Sequence, residues 1–251
     1  MRVVSLYSIK GGVGKTATCV NLAYLSAKNG FKTLLCDLDP QGSSTYYFKV
    51  KPSKKFDSKR FIYGTKTIKN NIKETDYENL DILPSDFSFR KMEVLLSGIK
   101  KSKKVLRDNL KSFGKNYDYV FLDCPPNITL VSENIFYASD LILEPCIPTT
   151  LSMLTHKKLN LYLKKKSFKD LKFYSFFSMT EKIKKLHQEI LNKLLGKGRF
   201  LKTQIPYSSL VEKMGIYREP VCIYNSQKVK QIGYDSLWQE VKQIFSNGLS
   251  E

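Results

Sequence analysis

Histidine and acid are scarce in this 251-residue chain, which has two histidines and 23 acidic residues against 42 lysines and arginines. With His156 and His187 alone, neither in a Ser/Cys–Asp pattern, a hydrolytic triad is a poor reading. The five cysteines are odd in number and contain no C-x-x-C pair, which argues against a disulfide framework. They read as small buried thiols in a reducing compartment rather than as a metal site. No apolar run approaches membrane-spanning length, and Met1 to Leu6 enters a strand-like stretch with no export signal. No Gly/Ser-rich or Pro-rich linker and no internal repeat interrupts the chain, so one domain over residues 1–251, in the cytoplasm, is the expectation. The shortage of acid leaves a formal charge of +19, a field that attracts polyanions such as nucleic acid or an acidic membrane face.

Short apolar runs are present at residues 3–9, 33–37, 80–84, 117–125, 140–148, 172–179 and 201–206. Helical patterns separate most of them, the first over residues 15–29 and closed by Gly30. Apolar runs alternating with helices predict an α/β fold, a doubly wound, mainly parallel sheet with helices on both faces. Residues 49–79 are lysine-rich and poorly periodic, and are read as an irregular excursion from the core.

The first run ends in Ser8-Ile9-Lys10-Gly11-Gly12-Val13-Gly14-Lys15-Thr16, close to the phosphate-binding pattern G-x-x-x-x-G-K-[ST] but with Ile9 in place of the first glycine and a second lysine, Lys10, beside it. Strand, glycine loop and helix follow in the order a phosphate cradle requires. Gly11, Gly12 and Gly14 let successive backbone N–H groups turn inward, and the helix starting at Lys15 adds its positive end. Lys15 is expected to reach the β- and γ-phosphates and the Thr16 hydroxyl to hold Mg²⁺. Two further strand ends supply carboxylates: Asp37-Leu38-Asp39-Pro40-Gln41-Gly42, and Asp123 after four apolar residues, followed by Cys124-Pro125-Pro126. Asp123 is predicted to bind Mg²⁺ from the carboxyl edge of the sheet.

Together these three segments resemble the deviant Walker A, A′ and B motifs of the ParA/MinD ATPases, and the D-x-D-P-Q-G form is most similar to ParA/Soj-type partition ATPases. The tail from Ile205-Pro206 to Glu219-Pro220-Val221 resembles the family's "IP…KPV" segment. The resemblance implies an ATP-sandwich homodimer that hydrolyses ATP with Mg²⁺, slowly and under partner stimulation. In it Lys10 reaches across the dimer to the other copy's phosphates, Asp39 orients the attacking water, and Asp37 and Asp39 are both counted among the Mg²⁺ residues. It also places Val13, Ala17 and Pro206 at the nucleotide. ParA-type function further implies nonspecific DNA binding, association with the nucleoid, and a ParB-like centromere-binding partner in plasmid or chromosome partition.

Lysine runs are the candidate DNA surface, with Lys164, Lys165, Lys166, Lys182, Lys184 and Lys185 favoured among them and Arg218 nearby in the tail. Other runs are Lys51/Lys54/Lys55, Lys100-Lys101-Ser102-Lys103-Lys104 and Lys157-Lys158. Leu210 stands where many family members carry a DNA-contacting arginine. The alternative is a MinD-like or other cargo-positioning ATPase acting at a membrane or protein complex. Leu237, Trp238, Val241, Ile244 and Phe245 do form an apolar helical stripe, but the chain then ends Ser246-Asn247-Gly248-Leu249-Ser250-Glu251 without a basic face. A helix packed on the sheet, with no membrane partner, is the expectation.

Overall fold

The computed structural model describes residues 1–246 apart from 101, 113, 167, 169 and 225; Lys101 and the tail from Asn247 to Glu251 therefore lie outside the described residues. The strands are β1 (Arg2–Leu6), β2 (Thr33–Asp37), β3 (Lys73–Glu74), β4 (Leu80–Leu83), β5 (Tyr119–Asp123), β6 (Leu141–Cys146), β7 (Lys172–Thr180) and β8 (Phe200–Pro206). They form one sheet in the order β3-β4-β2-β5-β1-β6-β7-β8. Every pairing is parallel except β3 with β4. The expected doubly wound α/β architecture is thus present, with an antiparallel edge that two residues were too short to announce.

Alternation of side chains across the pleat sorts the strand residues into two cores. Leu35, Tyr119, Phe121, Leu141 and Leu143 face the helices Lys15–Lys28 and Tyr234–Ser246. Leu34, Cys36, Val120, Leu122 and Ile142 face the opposite layer, which includes Leu130–Ala138 and Thr150–Lys166. Burial on both faces explains why the strands read as continuous apolar runs. The terminal helix packs as expected: Leu237, Trp238 and Val241 are buried, and the Trp238 indole N–H donates to Asn29 Oδ1 at 3.0 Å.

Residues 49–79 differ from the expected excursion. They carry short helices at Ser58–Tyr63 and Thr65–Lys69, and Phe56, Phe61, Ile62 and Ile68 are buried in the second core. Helices of six and five residues span less than two turns, too few for their periodicity to show.

Candidate functional site

β1 delivers the glycine loop to the carboxyl edge of the sheet. Gly12 (φ 69°) and Gly14 (φ 90°) adopt the left-handed region, which side chains with a Cβ disfavour. A Cβ at Gly14 would also lie 3.0 Å from Ser178 Oγ, so the loop is pressed against the end of β7. Lys15 begins the helix behind the loop and is only 7% exposed, with its Nζ donating a long 3.4 Å hydrogen bond to the Lys10 carbonyl. Burial lowers the Lys15 pKa, against the opposing pull of Asp123 and Asp39. Lys10 is half-buried, and its ammonium forms no ion pair with a described residue.

Parallel pairing of β2 with β5 sets Asp37 opposite Asp123, and β1 pairing sets Leu6 opposite Asp123. The two carboxylates are buried, and their pKa values rise first through loss of hydration and then through charge on the neighbouring aspartates. Their bonding differs. Asp37 Oδ2 accepts from the Thr45 N–H (2.8 Å) and hydroxyl (2.7 Å), and its Oδ1 accepts from the Asp39 N–H (3.3 Å). Asp123 Oδ2 accepts from the Ser44 hydroxyl at 2.7 Å, whereas its Oδ1 is buried with no hydrogen-bond partner. Asp39 is half-buried; its Oδ1 accepts from the Gln41 N–H (3.0 Å) and its carbonyl from the Ser85 hydroxyl (2.6 Å).

A buried anionic oxygen without a donor is costly, and a cation is the partner its chemistry fits. With the Thr16 hydroxyl close enough to Asp123 to favour its ionised form, these residues suit Mg²⁺ beside a phosphate loop. Asp37, Asp39 and Asp123 do not gather into one three-carboxylate cluster; Asp37 is saturated by the loop that follows it. Ser44, Thr45 and Ser85 escaped the sequence reading. The Ser-Ser-Thr run after Gly42 was an available signal for the first two, while Ser85 arrives from a distant strand end with none.

A cavity of about 200 Å³ adjoins the loop, bounded by Gly14, Ala17, Tyr47, Met179, Pro206 and Tyr207 among others. The structure therefore brings Ala17 and Pro206, 189 positions apart in sequence (206 − 17), to one recess beside Gly14.

The basic candidates are less uniform. Lys165, Lys182 and Lys185 are exposed. Lys166 pairs with Glu133 at 3.0 Å and Lys184 with Glu181 at 2.6 Å, while Lys164 is also engaged. Arg218, itself at φ 57°, donates from Nε to the Tyr46 carbonyl at 2.9 Å and lies 4.4 Å above the Tyr46 ring. It clamps the tail to the helix Ser43–Tyr47. Leu210 packs against the first core.

A parallel sheet with a glycine loop between strand and helix, a buried lysine at the helix start and an aspartate on the neighbouring strand tip define a P-loop nucleotide-binding protein. The family model described as AAA domain matches residues 1–172, and the chain belongs to this family as a ParA/MinD-type P-loop ATPase. It is 34% identical over 148 residues to the sporulation initiation inhibitor protein Soj of Bacillus subtilis, covering 57% of each chain. It is 30% identical over 148 residues to the chromosome partitioning protein ParA of Caulobacter vibrioides, covering 58% of this chain and 55% of that one. The matches thus span little more than half the length of these curated relatives. A candidate plasmid partition protein of Borrelia burgdorferi B31, crystallised bound to AMPPNP, superposes with a TM-score of 0.79 at 25% identity, over 96% of this chain and 99% of that one. Among the described residues, no helix is long and apolar enough to cross a membrane.

Proposed function

We propose that this protein is a partition ATPase that binds ATP between two copies of itself, binds DNA nonspecifically in that state, and is reset by hydrolysis. The observation that carries the reading is the buried, unpartnered Asp123 Oδ1 beside Thr16 and Lys15, a set of groups that lacks only an anionic phosphate and a divalent cation. In this reading the backbone N–H groups of Gly11 to Thr16 and the Lys15 ammonium hold the phosphates, while Ala17 and Pro206 border the base. Thr16 and Asp123 would hold Mg²⁺, with Asp37 shaping the loop behind them; the ion would neutralise charge across the β- and γ-phosphates. Asp39 orients water toward the terminal phosphate. Phosphoryl transfer rests on positioning and charge, so no strong nucleophile is needed. The Lys10 ammonium, without an ion-pair partner among the described residues, is available to a triphosphate held by a second copy. Two such lysines repel unless the triphosphates lie between them, which couples dimerisation to nucleotide state.

The similarity to the chromosome partitioning protein ParA and to a plasmid partition protein supports chromosome or plasmid partition. A ParB-like stimulating partner and action at the nucleoid belong to the same proposal. A second reading, a cargo-positioning ATPase with no DNA surface, is favoured by Leu210 and by the ion pairs that occupy Lys166 and Lys184. Membrane docking through the last helix is disfavoured because its Leu237, Trp238 and Val241 are buried. Binding to nonspecific duplex DNA with ATP and with ADP, over a salt series, separates the readings. Binding with ATP alone, weakening steeply with salt, supports partition. Equal binding in both states, or none, removes it.

A further inference from the structure

Strand β6 runs Leu-Ile-Leu-Glu-Pro-Cys, and every residue of it is buried, including an ionisable glutamate at 1% exposure. Glu144 and Cys146 are two residues apart on a strand and so point to the same face. His156 reaches them from the helix Thr150–Lys166, and Ser175 stands opposite Glu144 in the register of β6 with β7. His156 Nδ1 lies 2.7 Å from Glu144 Oε2, and the Ser175 hydroxyl donates to the same oxygen at 2.9 Å. One donor atom each from Glu144, Cys146 and His156 all fall within 4.8 Å of one another, the only such His/Cys/Asp/Glu group among the described residues. Phe173 and Phe200 wall the imidazole, with ring centroids 5.7 and 4.8 Å away.

We infer that Glu144, Cys146 and His156 form a binding site for a borderline-soft divalent cation, zinc above all, separate from the nucleotide site. One carboxylate oxygen, one thiolate and one imidazole nitrogen are the donor set that zinc takes, and together they neutralise a dication without bringing an uncompensated charge into the core. Magnesium is excluded by the sulfur and nitrogen donors. Three protein ligands leave a fourth position for water, and Ser175 orients the carboxylate from β7. On binding, the thiol proton passes to solvent as the sulfur–metal bond forms. The bound ion would tie β6 to the helix that carries the candidate DNA lysines.

Cobalt(II) titrated into the full chain without nucleotide is the test. One equivalent should bind with a thiolate-to-cobalt charge-transfer band that zinc abolishes by competition. Cys146→Ser should lose the band, and His156→Asn should weaken metal affinity by about tenfold or more. A wild-type chain that takes up no stoichiometric cobalt overturns the inference, as does a band that survives Cys146→Ser. Should either variant fail to fold, zinc-edge X-ray absorption of the wild type decides: one sulfur neighbour at about 2.3 Å supports the site, and a shell without sulfur overturns it.

Discussion

Asp123 and Lys15 are nearly sealed from solvent, at 1% and 7% exposure, whereas Lys165, Lys182 and Lys185 are exposed on a helix end, a turn and a helix start. Both regions are charged, yet they constrain function to different degrees. Burying an ion is costly enough that each charged atom at the strand tips needs a partner, and the one atom lacking it, Asp123 Oδ1, points to a specific ligand. An exposed lysine meets no such demand: water serves it as well as a phosphate does. Lys166 and Lys184 show a third outcome, since neighbouring glutamates already occupy them.

The sharpest break of this contrast lies at Lys10, a half-buried lysine between the two classes. Lys10→Ala should keep nucleotide binding, lose ATP-dependent dimerisation in light scattering, and lower turnover by about 10³-fold or more, the scale of a cation supplied in trans. Dimers of normal size with ATP would place Lys10 with the exposed lysines instead. Next, Asp39→Ala should bind ATP and dimerise while turnover drops by about 10²–10⁴-fold. Because the Asp39 carboxylate also accepts from the Gln41 N–H, the dimerisation readout separates loss of chemistry from collapse of the loop.

The strand-tip region was legible in sequence because the same residues carry both fold and chemistry. Gly12 and Gly14 permit a left-handed backbone, and Asp37 and Asp123 end strands whose two buried faces make them continuous apolar runs. What stayed hidden depends on distant partners. Ser85 supports Asp39 from 46 residues away, and nothing around it marks that role. Glu144 sits inside an apolar run, a charge that was a signal passed over; His156 and Ser175 join it through a helix register and a strand register that no local pattern encodes. The helices of residues 49–79 were too short to show a period, although Phe56 and Phe61 had the composition of a core. The lysine surface was legible as charge alone, since net charge carries no information on which cations are paired.

A smaller effect is expected at the exposed lysines themselves. Replacing Lys182 and Lys185 together by alanine should flatten the slope of log affinity for duplex DNA against log salt by about 1.8, or 0.9 for each lost phosphate contact. ATP turnover without DNA should be unchanged. Lys166→Ala should flatten it by less than about 0.9, because its ammonium is shared with Glu133. A full value of about 0.9 would mean that the ion pair opens on binding.

Glu133 gives the smallest effect and a defined sign. Its carboxylate accepts from the Tyr162 hydroxyl at 2.7 Å and pairs with Lys103 and Lys166 at 2.9 and 3.0 Å. Burial alone would raise its pKa, but these three partners outweigh it and hold the carboxyl at about 2, below its usual 4.5. A carboxylate depressed in the folded state stabilises the fold above the unfolded value and loses that contribution as pH falls toward the folded one. Glu133→Gln should therefore lower the melting midpoint by about 2–4 °C at pH 7. The gap to wild type should hold down to about pH 4.5 and narrow below it. A gap that stayed constant across that window would assign the loss to the Tyr162 hydrogen bond and to packing, and would leave the Lys166 ammonium available to DNA.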